Sequence, residues 1–431
     1  MFPINPSSLA LIAGLMVATF MVLIMSKKLS PVVALILVPS VFGLCVASPA
    51  QLGAWMVKGI EGISNTGVML CFAILYFSIM IEVGLFEPLV KKILQIVKGD
   101  PLKVLVGTAI LSLFVSLDGD GATTYLVVTA AFLPLYKKLG ISPLKLTTVV
   151  MLAGGVMNIL PWGGPTARVM AGLKLGADQV FTPLIVCMAF GAIWVICVAF
   201  WFGQKERKRL SINGLDKVET EASNSPTPKF FWVNLALTVA LMTALLTNFL
   251  PITVLFIIGF ALAMLINFPK IEDERDRINA FAGNALTVAS MVFAAGIFAG
   301  VAKESGMLKA LGDAFTYIIP KALGSNLSVI TAGTSAIFTF FMTNDGFYFG
   351  ILPTLTETAA HYGITSAEMA RASLIGQPVH LLSPLVPSTY LLVGLAGVEF
   401  GDHLKHTLKW AIGTVIVMTI TALLFGVIYL R

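Results

Sequence analysis

Long apolar runs alternate with short, mostly basic turns along almost the whole chain. Ser7–Met25 and Pro31–Ala47 each read as a membrane span, joined by a turn carrying Lys27, Lys28 and Pro31; about 20 apolar residues are needed to cross a bilayer. Ser48–Glu61 is mixed in character and reads as a short interfacial helix. Asn65–Leu85 reads as the third span, with Asn65 and Gly67 as its cap. A basic stretch with Lys91, Lys92, Lys98 and Lys103 follows. Leu102–Tyr136 is then interrupted at its middle by Ser116-Leu-Asp-Gly-Asp-Gly-Ala-Thr-Thr-Tyr125. The apolar arms on either side are too short for two full crossings, which predicts a re-entrant helical hairpin with its tip inside the membrane. The next element starts at Pro143 and is broken at Asn158-Ile-Leu-Pro-Trp-Gly-Gly-Pro-Thr-Ala-Arg168, because two prolines and two glycines this close cannot stay in one regular helix. Phe181–Phe202 is a fifth span.

After a polar linker, Lys205–Lys229, the same order returns. Phe231–Asn248 and Pro251–Ile266 read as spans, Pro269–Arg277 as a charged amphipathic segment, and Ala285–Ala302 as a span. Asn326–His361 is a second hairpin, with Thr343-Asn344-Asp345-Gly346 at its middle. A second broken element contains Gly376-Gln-Pro-Val-His380 and Pro384-Leu-Val-Pro-Ser-Thr389, and Trp410–Leu430 is the last span. Individual residues repeat as well. Glu82-Val-Gly84 matches Glu304-Ser-Gly306 at an offset of 222 (304 − 82), as do Pro165-Thr166 with Pro387-Ser388 and Gly172-Leu173 with Gly394-Leu395. Asp120-Gly121 matches Asp345-Gly346 at 225 (345 − 120). The chain therefore divides into a first repeat, 1–205, a cytoplasmic linker, 206–230, and a second repeat, 231–431. Five crossings per repeat invert the second half relative to the first. The expected fold is an all-α polytopic membrane protein of two inverted repeats, each with five transmembrane helices and one re-entrant hairpin. Inverted repeats with breaks at matching places are the pattern of a secondary transporter with its site near the midplane.

Composition agrees with this picture and narrows it. The 431 residues are 57% hydrophobic and 12% charged, against about 25% charged in a soluble domain. The net charge of +6 sits in short loops and gives no nucleic-acid signal. With the N-terminus outside, inner loops hold 20 of the 28 basic residues, as the positive-inside rule asks. Outer positions take Lys58, Lys174, Lys303, Lys309, Lys321, Arg371 and Arg431. The first hairpin then enters from the cytoplasm and the second from outside. Leu9–Met25 lacks a basic flank and a cleavage site and reads as a retained span. The four cysteines fall inside apolar segments with no metal-site spacing. No P-loop, His-Glu-x-x-His or Gly-x-Ser-x-Gly is present, so neither ATP-driven transport nor enzymatic catalysis has its machinery here.

The two tips and two breaks pool their polar groups: Asp118, Asp120, Thr123, Thr124, Asn158, Thr166, Arg168, Asn344, Asp345, Gln377, His380, Ser383, Ser388 and Thr389. Gly119, Gly121, Gly163, Gly164 and Gly346 let the backbone approach a ligand closely. Broken helices add free N–H groups for anionic oxygens and free carbonyls for cations. Arg168 is the one fixed cation in the pool; it either meets a substrate carboxylate or pairs with Asp118 or Asp120. Three aspartates against one arginine suit an anion that brings a hard divalent cation with it, or one accompanied by protons. Asp118, Asp120 and Asp345 are the candidates for facing that metal. The same three, with His380, are the candidates for carrying protons. His380 is equally compatible with a simple bond to a backbone carbonyl. Glu82 and Glu304 read as scaffold anchors.

At these residues the chain resembles the citrate–metal:proton symporters of the ion transporter superfamily. The resemblance rests on Asp118-Gly-Asp-Gly-Ala-Thr-Thr-Tyr125, Leu133-Pro-Leu-Tyr136, the Asn158–Arg168 block, Asn344-Asp-Gly-Phe-Tyr348, and Gly376–His380 through Tyr390. It implies citrate taken up as a complex with a divalent metal (Mg²⁺, Ca²⁺ or a heavier metal), with no permanently held cofactor. It further implies proton coupling, a homodimer in a bacterial inner membrane, and an elevator in which the opening spans of each half form a fixed scaffold. More distant sodium–dicarboxylate relatives carry Ser-Asn-Thr at their tips, and this chain departs from that pattern. The rival readings are a proton- or sodium-coupled carrier of metal-free di- or tricarboxylates, a channel, and an intramembrane enzyme with Asp118 and Asp345 as an acid dyad.

Overall fold

The computed structural model describes residues 6–26, 28–97, 99–119, 121–210, 228–247, 249–316 and 321–431. Every regular element described is helical. The first half runs α1 (Pro6–Met25), α2 (Pro31–Leu44), α3 (Pro49–Glu82), α4 (Glu87–Val97), α5 (Pro101–Val115), α6 (Gly121–Lys138), α7 (Pro143–Met157), α8 (Gly164–Leu173), α9 (Ala177–Val180) and α10 (Ile185–Arg209). The second half runs α11 (Phe231–Leu246), α12 (Ile252–Asn267), α13 (Ile271–Glu304), α14 (Met307–Thr316), α15 (Lys321–Gly324), α16 (Leu327–Phe341), α17 (Leu352–Ala360), α18 (Ser366–Leu374), α19 (Gln377–His380), α20 (Pro387–Ala396) and α21 (Phe400–Leu424). Among the described residues six helices are long and apolar enough to cross a membrane, and five more are apolar but shorter. Large apolar side chains such as Leu11, Trp232, Ile416 and Leu424 are exposed on the outside of the bundle, where acyl chains would cover them.

Many helix starts are written locally. Ser30, Ser48 and Asp100 each accept a bond from a first-turn N–H, and each is followed by proline. Proline fits the first helical position because its missing N–H has no helical partner there. Two expectations fail at this level. Ser48–Glu61 is no separate interfacial helix; it is the first part of α3. Pro269–Arg277 is likewise no separate segment, since α13 begins at Ile271. Asn65 and Gly67 accordingly lie inside α3 and cap nothing; Gly67 instead makes room for Phe293 of α13. Both long helices have 34 residues, about 50 Å at 1.5 Å per residue, and 222 residues separate their first residues (271 − 49). The basic stretch after α3 is also partly helical, as α4, and α14 holds the equivalent place in the second half. α10 extends to Arg209, beyond the expected end of the first repeat, and α21 begins ten residues before Trp410. Most of the expected linker, 211–227, lies outside the described residues.

Two bodies emerge from the packing. In one, α3 lies along α12 and α13, α13 also packs on α2, and α1 packs on α2 and α14. α3 and α13 cross at glycines: a Cβ on Gly300 would stand 2.7 Å from Cα of Gly59, and one on Gly59 would stand 2.1 Å from the Gly296 carbonyl oxygen. Such close backbone approach is how helices associate without a hydrophobic driving force between them. Reciprocal ion pairs then tie the ends. Glu304 accepts from Lys58 at 2.6 Å, and Glu82 is ion-paired with Arg277 Nε at 3.0 Å, so the two repeat-related glutamates do anchor these helices to each other. The second body gathers α5, α6, α7 and α10 with α16 and α18–α21. α8 packs on α3 and α13, and α17 on α14, where the two bodies meet.

Candidate functional site

Both hairpin tips form where the expected segments interrupt the helices. At the first, a single 3-10 turn, Ser116–Asp118, follows α5, and Gly119 (φ 77°) turns the chain, its N–H bonded to the Ser116 carbonyl at 3.1 Å. Glycine is needed on two counts: the φ is left-handed, and a Cβ would stand 2.8 Å from Cδ1 of Trp162. Trp162 lies in the first break and donates Nε1–H to the Leu117 carbonyl at 2.9 Å. Its ring packs on Phe77 of α3 and Phe256 of α12, with centroids 5.1 and 5.0 Å away. Break, tip and the opposite body therefore meet at one indole. Asp118 is buried in the turn. Gly121 and Thr123 occupy the first turn of α6, and the Thr124 hydroxyl lies 3.2 Å from that of Ser116. Asp120 lies outside the described residues.

The second tip is extended at Met342. The Thr343 hydroxyl accepts the Gly346 N–H at 3.2 Å, and a π-helix, Gly346–Ile351, leads into α17. A Cβ on Gly346 would stand 3.0 Å from the Met21 sulfur of α1. Across from this tip, Arg168 on α8 donates Nε–H to Asp345 at 2.6 Å, Nη1 to the Gly164 carbonyl at 2.9 Å, and Nη2 to the Met291 sulfur of α13 at 3.4 Å. The arginine thus pairs with the aspartate of the other repeat's hairpin. Next to it runs a chain of amides. Asn158 of the first break donates to Gln377 of the second at 3.1 Å, and Gln377 donates to Asn344 at 3.2 Å and to the Tyr348 hydroxyl at 2.6 Å. The structure therefore brings Asn158, Arg168, Asn344, Asp345 and Gln377 into one connected group.

Other expected residues close the breaks. Thr166 donates to the Ile159 carbonyl at 2.7 Å and Thr389 to the Leu381 carbonyl, each spanning its own break. Gly163 lies so close under the first break that a Cβ would stand 2.3 Å from the Asn158 carbonyl oxygen, and Gly164 faces the Arg168 guanidinium. His380 Nδ1 lies 2.6 Å from the Thr339 carbonyl oxygen, and Ser383 donates to that of Phe340 at 2.6 Å. Both contacts fasten the second break to α16. Ser388, half-buried, occupies the first turn of α20.

Three residues that touch this group or its tip carry no candidate role in the sequence reading. Tyr348 is fully buried and holds Gln377. A fully buried tyrosine follows the first tip as well, Tyr125. Met291 and Met21 come from α13 and α1, and a methionine in an apolar helix carries no signal of its own.

Three comparisons agree. The family model described as citrate transporter matches residues 20–376. A "Citrate transporter" of Bacillus subtilis (strain 168) is 56% identical over 423 residues, covering 97% of this chain and 99% of its own. From the same organism, a "Mg(2+)/citrate complex secondary transporter" is 46% identical over 430 residues, covering 97% and 99%. Among solved structures, the YdaH transporter of Alcanivorax borkumensis superposes with a TM-score of 0.64 over 96% of this chain and 98% of its own, at 16% identity. That is a likeness of fold. The family-model match over residues 20–376 and relatives 56% and 46% identical over nearly the full length place this multi-pass membrane chain in the citrate transporter family, whose members named here are transporters and not enzymes.

Proposed function

We propose that this protein is a secondary symporter that takes up citrate as a complex with a divalent metal, driven by protons, across a bacterial inner membrane. The Arg168–Asp345 pair is the observation that carries the reading. In the resting site the two charges satisfy each other. A metal–citrate complex can replace both partners at once, a citrate carboxylate taking Arg168 and the metal facing Asp345, so neither buried charge is left unmatched. A free citrate anion answers only Arg168 and sets its own charge against Asp345. Citrate itself supplies most of the metal's oxygen ligands, and Asp118 and Asp120 at the first tip complete the acidic side. Hard divalent ions favour such oxygens, and the 46% identical relative named for Mg²⁺–citrate points to Mg²⁺. Asn158, Asn344 and Gln377 position the remaining carboxylates, with the tip and half-helix N–H groups. Protonation of the tip aspartates, or of His380, supplies the coupling. The body built on α3 and α13 is the scaffold and carries the homodimer face, and the hairpin body moves past it as an elevator.

The test is radiolabelled citrate uptake into proteoliposomes under an inward proton gradient, with Mg²⁺, Ca²⁺ or a heavier metal added singly. Uptake that requires a metal and collapses with a protonophore is the expected result. Equal uptake with a strong chelator present would overturn the metal half, and uptake indifferent to the protonophore would overturn the proton half.

A further inference from the structure

A narrow cavity lies between the two bodies, away from the ion pair but along the same elements. One wall is the end of α8, Gly172–Lys174, together with Phe349 and Gly350 after the second tip; the other runs along α13 from Ala295 to Lys303. Arg168 precedes Lys174 by six residues (174 − 168). At about 1.5 Å of rise per residue, the lysine end of the cavity stands about 9 Å along the helix from the ion pair.

Lys174 is the one non-glycine residue with a left-handed backbone among those described, with φ 54°. It ends α8 where glycine or asparagine would serve without strain. Its side chain crosses Gly62 of α3 closely, since a Cβ there would lie 3.3 Å from Cδ. Lys303, from the last turn of α13, lines the same cavity. The neighbouring carboxylate of Glu304 is already engaged by Lys58 at 2.6 Å. Neither Lys174 nor Lys303 makes an ion pair among the described residues. Glu357 also lines the cavity, from α17, where it packs over Gly312 of α14. Burial, and then the charge of Lys303, lower the Lys174 pKa below the ordinary lysine value, with Glu304 acting against them. An anion between the two lysines would offset the repulsion between them.

We propose that Lys174 and Lys303, one from each body, form an outer capture site for a polycarboxylate anion, here metal–citrate, ahead of Arg168. The proposal rests on the citrate-uptake reading and adds to it a second, peripheral point of contact. Because one lysine belongs to each body, the anion held between them bridges the scaffold and the moving part before it reaches the midplane. Cations at the mouth of a cleft raise the local concentration of an anionic substrate, and the gain falls with ionic strength.

The experiment is initial-rate uptake of Mg²⁺–citrate in proteoliposomes, at low and high ionic strength, by the wild type, K174Q/K303Q and K174R/K303R. The glutamine pair is expected to raise KM by about tenfold at low salt and to flatten its salt dependence. The arginine pair is expected to restore both. If the glutamine pair elutes as aggregate, K174Q and K303Q are read singly, each with about half the effect on log KM. A wild-type KM and salt response in the glutamine variants would overturn the capture site while leaving citrate transport standing. No uptake of citrate by the wild type with any metal would instead overturn the reading beneath it.

Discussion

Replacing Asp345 by asparagine separates the two kinds of ligand this site distinguishes. The carboxylate accepts from Arg168 Nε at 2.6 Å, with the two side chains only 10% and 19% exposed. At an effective dielectric constant of about 20, unit charges about 4 Å apart attract by about 4 kcal/mol. Desolvation offsets part of that for a pair this buried. Asp345→Asn keeps the shape and removes the charge, and Arg168 then retains the Gly164 carbonyl and the Met291 sulfur. For Mg²⁺–citrate the variant lacks the carboxylate opposite the metal. A loss of about 2–3 kcal/mol corresponds to a rise in Kd of about 30- to 150-fold. For citrate in chelator the sign reverses, because Arg168 no longer has to be taken from Asp345 and the repelling charge is gone. Calorimetric titration of both ligands into wild type and variant measures the inversion directly. Equal weakening of both ligands would mean that the pair merely holds the fold, and unchanged affinities would remove Asp345 from the site.

Other substitutions test the frame around the site. Gly119→Ala forces a left-handed alanine against Trp162, which stands 2.8 Å from the new Cβ position; a loss of at least 1–2 kcal/mol is expected as an order of magnitude, read as a lower melting temperature and reduced uptake. Trp162→Phe keeps the packing on Phe77 and Phe256 but deletes the bond to the Leu117 carbonyl. It should cost about 1 kcal/mol in stability, with a larger effect on uptake if the tip is held by that bond. Gly300→Val drives a branched side chain into the α3 backbone at Gly59, and size-exclusion chromatography should show loss of the monodisperse species.

The legibility of this chain follows from which interactions are local. Spans, tips and breaks were visible because proline, glycine and aspartate inside apolar runs have few explanations, and because a duplication shows each break twice. The merging of Ser48–Glu61 into α3 was not visible. Lys58 and Glu61 interrupt the apolar pattern there, yet the helix continues, with Lys58 exposed on its face and paired to Glu304 from the other half. Pro269–Arg277 misled for the reciprocal reason, with Arg277 paired to Glu82. At the site, residue types named the pool but not the pairing. Arg168 was expected to face a ligand or an aspartate of its own half, and it holds Asp345 instead, a contact 177 residues apart. Only the folded duplication places those two together. Sequence position alone offers the hydroxyls of Thr166 and Thr389 as ligands, but each donates to a carbonyl inside its own break.

The duplication also preserves geometry where it does not preserve charge. In the first half, Glu206 near the end of α10 binds Lys145 in the first turn of α7 and Arg209 beside it. At the equivalent place, Glu368 in the first turn of α18 binds Arg431 beyond α21. Both glutamates are almost fully buried, and both clamps fasten the start of a broken helix to the end of the half. The signs on the two helices are exchanged. Acid is favoured at a helix N-terminus and base at a C-terminus, so the Glu368 arrangement follows the helix dipoles and is satisfied by one arginine. The first clamp runs against them, with lysine at an N-terminus and glutamate near a C-terminus, and it recruits a second cation. If the two halves are inverted as the loop charges indicate, this unfavourable version is the one at the cytoplasmic face. There the additional base would add to the cytoplasmic positive charge that the positive-inside rule favours, a demand that helix electrostatics alone does not make.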